Sequence, residues 1–132
     1  MKRVPLKRKS RSELKKWGDK ADRALQDWYR KEYRGKKCEG CGRRFQLMHH
    51  FIEKHLSAGL RFEHDNLIFL CSRCHTSHHL GGNAAVMAKV ILCRGQEWLG
   101  DLLLLDRARK GMQNTVERFK EVYQKYGGKL SK

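Results

Sequence analysis

The chain has 132 residues, 30 Lys and Arg against 14 Asp and Glu, a formal net charge of +16 and a pI near 10.0. That length suits one domain with a modest core, and the longest apolar runs, such as Leu67 to Cys71, are five residues, which excludes a membrane span. The start, MKRVPLKRKS, is basic with no apolar segment behind it, so we expect no secretory signal. In the reducing cytoplasmic setting this implies, five cysteines are metal ligands or thiols rather than disulfides.

Residues 1–9 read as a disordered basic arm. Ser10 and Glu13 have the spacing of a capping box, and Leu14, Trp17, Ala21, Ala24, Leu25, Trp28 and Tyr29 then recur at helical spacing, predicting a helix over about 11–32. Trp17 and Trp28 belong on its core face rather than on a base-stacking surface. Residues 1–37 hold fifteen basic and five acidic side chains, a net of +10, whereas residues 38–80 net +1 and residues 81–132 net +5. The middle therefore has the character of a site and the flanks that of a grip on a polyanion, nucleic acid being the commonest inside cells.

Cys38-Glu-Gly-Cys41-Gly predicts a tight turn, and Arg44 to Met48 a short strand. Residues 51–65 form a connection that turns at Ser57-Ala58-Gly59. Leu67 to Leu70 predicts a buried strand, and Ser72 to His79 a short helix stopped by Gly81-Gly82. Asn83 can cap a helix running from Ala84 to about Cys93. Two more follow over Gln96–Arg107 and Thr115–Tyr126, the last with Val116, Phe119, Val122, Tyr123 and Tyr126 on one side. The order predicts an α+β fold with a very small sheet.

Cys38-x-x-Cys41 and Cys71-x-x-Cys74 are matched pairs separated by twenty-nine residues. Zinc takes four thiolates in a tetrahedron, and each pair supplies two sulfurs from one tight turn. Without a βαβ pattern around either pair, a structural four-cysteine zinc site is the reading, rather than a redox pair. Cys93, among Val90, Ile91 and Leu92, reads as a small buried hydrophobe.

All seven histidines fall between residues 49 and 79. His75 and His79 are i and i+4, so both imidazoles project from one helix face and can share an ion. His78 can replace His79 or contact phosphate. Neighbours on a strand face opposite ways, so one of His49 and His50 can ligate that ion while the other reaches a substrate. Asn66 reads equally as a turn residue before a strand.

The run Met48-His49-His50-Phe51, then Asp65-Asn66-Leu67, then Leu70-Cys71-Ser72-Arg73-Cys74-His75-Thr76-Ser77-His78-His79, resembles the HNH endonuclease motif in its zinc-stabilised four-cysteine form. Leu60-Arg61-Phe62, Gly82-Asn83 and Gly95-Gln96-Glu97-Trp98 more loosely resemble phage recombination nucleases of the NinG type. The resemblance implies a ββα-metal, treble-clef-like core over 36–82, with an arm and helix over 1–35 and C-terminal helices over 83–132, in one domain. It implies His50 as general base, Asn66 as the residue that pins the connection and helps orient the base, and His49, His75 and His79 as ligands of one divalent cation: Mn2+, Mg2+, Ni2+ or Zn2+. Arg43, Arg44, Arg61, Arg73 and His78 are the expected DNA contacts. The implied function is metal-dependent hydrolysis of DNA phosphodiesters in phage recombination or processing, in the host cytoplasm, with DNA and no membrane as partner. A non-catalytic zinc module that binds nucleic acid is the alternative, and a protein-interaction scaffold a third reading.

Overall fold

The computed structural model describes residues 12–77 and 83–130. Its elements are helix α1 (Glu13–Glu32), strand β1 (Leu47–His50), 3-10 turns at Ala58–Leu60 and His64–Asn66, strand β2 (Leu67–Leu70), and helices α2 (Ser72–Ser77), α3 (Asn83–Arg94), α4 (Gln96–Ala108) and α5 (Val116–Lys125). The fold is α+β, as the element order in the sequence predicts. No helix among the described residues is long and apolar enough to cross a membrane.

The two strands pair antiparallel, with Leu47 opposite Leu70, Met48 opposite Phe69, His49 opposite Ile68 and His50 opposite Leu67. Because side chains alternate along a strand, the sheet divides the core in two. Met48, Leu67 and Phe69 join Ala21, Leu25 and Tyr29 of α1 and Phe119 and Val122 of α5. Leu47, Ile68 and Leu70 face the other way, toward Cys38, Cys71, Val86 and Val90. Trp17 and Trp28 pack against the first of these clusters, as expected of core residues.

Several boundaries differ from the sequence reading. Helix α1 begins after Ser12, whose hydroxyl accepts from the Lys15 N–H at 3.2 Å, and not at the Ser10–Glu13 box. Ser12 is the serine that stands immediately before the first helical residue, the position where a cap acts. Strand β1 starts three residues later and ends two later than expected, because Arg44 only bridges back to Lys37 to close the cysteine turn. Cys93 is exposed, not buried. The inward arc of α3 runs through Val86, Val90 and Arg94, and Cys93 falls outside it. Gly95, with φ +96°, makes the corner between α3 and α4. The basic arm, the capping-box Ser10, and the His78 to Gly82 stretch lie outside the described residues.

Candidate metal centre and histidine cavity

The four paired cysteines converge. Their sulfurs all lie within 4.8 Å of one another, and among the described residues they are the one cluster of three or more potential ligands able to hold an ion. Cys41 Sγ and Cys71 Sγ are 3.6 Å apart, close to the separation of about 3.8 Å that bond lengths of about 2.3 Å impose on a zinc tetrahedron. The local fold produces this in both turns: the Gly40 N–H points at Cys38 Sγ at 3.3 Å and the Cys74 N–H at Cys71 Sγ at 3.4 Å. A Cβ on Gly40 would stand 2.9 Å from Cys74 Sγ, so the first turn needs glycine there. Burial pushes the Cys38 and Cys74 thiols up. At Cys71 burial opposes ionisation, but the Cys74 amide and the neighbouring thiols outweigh it and hold the thiol at about 7. Four soft donors, crowded together, are positioned to bind one metal ion, and the spacing fits zinc.

Strand β1 sends its two histidines to opposite sides of the sheet. His49, 7% exposed, shares the face of Leu47 and meets His75 of α2, the ring centroids 5.2 Å apart and inclined at 66°. Two imidazoles sharing an ion at about 2.1 Å and a near-tetrahedral angle have centroids about 5 Å apart, so the spacing of the pair fits two ligands of one ion. His79 and His78, the expected third ligand and its substitute, lie outside the described residues.

His50 turns toward α1. Its Nε2 lies 2.7 Å from the Arg61 carbonyl oxygen. A carbonyl only accepts, so Nε2 carries the hydrogen and the neutral ring keeps its lone pair on Nδ1. Burial depresses the pKa of this imidazole below its ordinary range, the Arg61 carbonyl and Asp22 offsetting part of that. His49, His50 and His75 line one cavity of about 520 Å³, together with Asp22, Gln26 and Arg30 of α1 and Glu53, Lys54 and His55 of the connection.

Asn66 is fully buried at 0% exposure. Its Oδ1 accepts from the Ile52 N–H at 2.8 Å, while its Nδ2 donates to the carbonyls of Ile52 at 3.0 Å and Leu60 at 3.2 Å. One amide thus ties both ends and the middle of the 51–66 connection, and the reading of Asn66 as only a turn residue understates it.

The expected DNA contacts divide. Arg43, Arg44 and Arg73 are exposed. Arg61 is engaged internally: Nη2 and Nε donate to Asp22 at 2.6 and 3.1 Å, and the guanidinium lies over the Phe119 ring at 4.8 Å. Sequence reasoning missed Asp22, Gln26 and Arg30 of α1, and Lys54 of the connection, as site residues, because nothing in their spacing ties α1 or that connection to the face of a distant strand. The one available signal was Gly18, a glycine in the middle of a helix, which costs about 1 kcal/mol relative to alanine unless something needs the space.

The family model described as "Bacteriophage Lambda NinG protein" matches residues 2–132. No curated protein and no solved structure matches the chain significantly. A match over nearly every residue, joined to a four-cysteine cluster able to hold a metal ion, places the chain in the bacteriophage lambda NinG protein family.

Proposed function

We propose that this protein is a metal-dependent DNA endonuclease of the HNH type, acting in phage DNA recombination or processing, with a structural zinc on Cys38, Cys41, Cys71 and Cys74. The observation that carries this reading is the orientation of His50. Its Nε2–H is committed to the Arg61 carbonyl, which leaves Nδ1 as the basic nitrogen of a ring lining the same cavity as His49 and His75. An imidazole whose hydrogen is committed at Nε2 presents Nδ1 as a proton acceptor, which a general base needs and phosphate binding does not.

In the proposed reaction Nδ1 of His50 takes a proton from a water molecule. The water oxygen bonds to phosphorus, the bond from phosphorus to the 3′ oxygen breaks, and that oxygen leaves with the electron pair and is protonated by solvent. A divalent cation held by His49, His75 and His79 would supply positive charge against the phosphorane and the leaving oxygen. Asn66 keeps the connection that carries Arg61 in place. Arg30 and Lys54, in the cavity wall, and exposed Arg43, Arg44 and Arg73 supply cations for backbone phosphates, in keeping with the +16 charge.

Nicking of supercoiled plasmid and of branched DNA, with Mn2+, Mg2+, Ni2+ or Zn2+ and with EDTA, tests this. The expected outcome is metal-dependent nicking that falls roughly 10²–10⁴-fold in His50→Ala, while tightly bound zinc, circular dichroism and DNA binding stay unchanged. No cleavage with any of the metals would leave the zinc-stabilised nucleic-acid-binding module as the better account. Loss of zinc in His50→Ala would make His50 a structural ligand.

A further inference from the structure

The least expected feature of the cavity is an acid. Asp22 of α1 sits with Glu53 in the wall of a cavity that also holds Arg30, Lys54 and the histidines, and the Asp22 carboxylate is occupied from two sides. Arg61 grips it through two nitrogens, at 2.6 and 3.1 Å, and Lys54 Nζ approaches at 3.1 Å. The Arg61 and Asp22 side chains are only 17% and 21% exposed, so the pair is a partly buried, two-point contact, a class that holds geometry well.

That contact is made by the residue whose backbone carbonyl faces His50 Nε2. The connection carrying Arg61 has only two short 3-10 turns of its own. Asn66 holds it on one side of residue 61, through the carbonyl of Leu60, and Arg109 holds it again by donating to the Gly59 carbonyl and the Glu63 carboxylate, both at 3.0 Å. Between these anchors the Arg61 N–H donates to the Ala58 carbonyl at 3.3 Å, and the Arg61 side chain adds a tertiary hold, clamped to Asp22 and laid on Phe119.

Helix α1 is shaped for this clamp. A Cβ on Gly18 would stand 3.2 Å from Arg61 Nη2 and 3.2 Å from the Phe119 ring. The mid-helix glycine, unfavourable by itself, leaves room for the guanidinium.

We propose that Asp22 and Arg61 are positioning residues for His50: their ion pair holds the Arg61 carbonyl where it receives the Nε2–H and so keeps the lone pair on Nδ1. Helix α1 then builds the reactive site as well as adding charge to the surface. This rests on the nuclease reading for its catalytic consequence, but the tautomer claim stands on geometry alone.

The test uses the full chain loaded with zinc. Long-range proton–nitrogen correlation spectra report which nitrogen of His50 carries the hydrogen, and nicking assays with Mn2+ give kcat and KM. The variants are Asp22→Asn, which keeps an acceptor but loses the charge, Asp22→Glu as the conservative rescue, and Arg61→Lys as a second route should the first fail to fold by circular dichroism. The wild type is expected to show the Nε2–H form alone. In Asp22→Asn and Arg61→Lys the two tautomers mix and kcat falls about 10–100-fold with KM within about twofold. Asp22→Glu recovers much of both. A wild-type His50 protonated at Nδ1 overturns the proposal, as do Asp22→Asn and Arg61→Lys variants that leave tautomer and kcat unchanged. A wild type that does not nick at all removes the nuclease reading only. The tautomer shift in the variants then still decides the positioning claim, upholding it if present and refuting it if absent.

Discussion

Replacing Asn66 with alanine removes three hydrogen bonds at once. The bond to the Leu60 carbonyl is fully buried, and the two to Ile52 are half-buried. A buried backbone group left without a partner costs about 1–3 kcal/mol, and a half-buried one nearer the net worth of a bond, about 0.5–1.5 kcal/mol. The sum is about 2–6 kcal/mol, a large part of the roughly 5–15 kcal/mol that holds a domain together. Asn66→Asp sharpens the test. The new carboxylate still accepts from Ile52 N–H but has no N–H for the Ile52 and Leu60 carbonyls, so burial and two facing oxygens favour its protonated form. Its folded pKa therefore lies above the unfolded value of about 3.9. A group shifted upward contributes fully below its unfolded pKa and loses that contribution as pH rises through the folded one. The stability gap between Asn66→Asp and the wild type is thus expected to widen between about pH 5 and about pH 8. Urea unfolding of zinc-loaded protein at both pH values measures it. An alanine penalty below about 1 kcal/mol, or an aspartate gap that does not change with pH, would refute the view that this amide pins the connection.

Other predictions address the metal centre, the ion pair and the charge. Cys71→Ser is expected to lose bound zinc and helical circular dichroism together, because binding energy at such a site is folding energy; Gly40→Ala is expected to weaken zinc binding in a competition titration by crowding Cys74 Sγ. At Asp22 burial opposes the charge, but Arg61 and then Lys54 outweigh it and hold the carboxylate below its ordinary range. Its contribution is therefore fully present above the unfolded pKa of about 3.9 and lost as pH falls through the folded value, a loss that acid titration of Asp22→Asn is expected to lack. Deleting residues 1–9 is expected to weaken duplex binding and to reduce the salt slope by about 0.9 for each phosphate that the arm neutralises, while an unchanged slope would show that this charge only solubilises.

The metal centre was legible in the sequence because its information is local: two C-x-x-C turns and the glycine at 40 specify ligands and geometry over a few residues. Strand β2 was legible for the same reason, since Leu67 to Leu70 is buried on both faces and reads as an unbroken apolar run. Strand β1 was harder to place. Half of it is His49-His50, polar residues that a pattern of apolar alternation passes over, so the expected strand stopped too early. Strand alternation said that the two histidines face opposite ways but not which face each takes; the register puts His49 with the Leu47 face and His50 with the Met48 face. What α1 does at the site was not legible at all. Asp22, Gln26 and Arg30 lie on one side of the helix and meet residues 46 to 61, and such contacts depend on packing that spacing along the chain does not encode.

Those contacts explain how so small a sheet can carry a site. A two-stranded pair leaves both outer edges with unpaired backbone groups, and alone it is marginal in water. Here one of the two inner cross-strand pairs, Met48 and Phe69, is bracketed by two side chains that imitate missing strands. The Gln26 amide of α1 accepts from the Met48 N–H at 2.9 Å and donates to its carbonyl at 2.7 Å. On the far edge Glu39, inside the first cysteine turn, accepts from the Phe69 N–H at 2.7 Å through its carboxylate and returns its own N–H to the Phe69 carbonyl at 2.8 Å. Arg94 of α3 then grips Glu39 at 2.6 Å and donates to the Leu67 carbonyl at 2.8 Å. Each edge is thus closed by an element that also serves the site beside it. The helix that seals β1 clamps Arg61 opposite His50, and the turn that seals β2 supplies two of the four thiols. The metal centre and the N-terminal helix are therefore two sides of one support for the short strand whose alternation turns His49 and His50 to opposite faces.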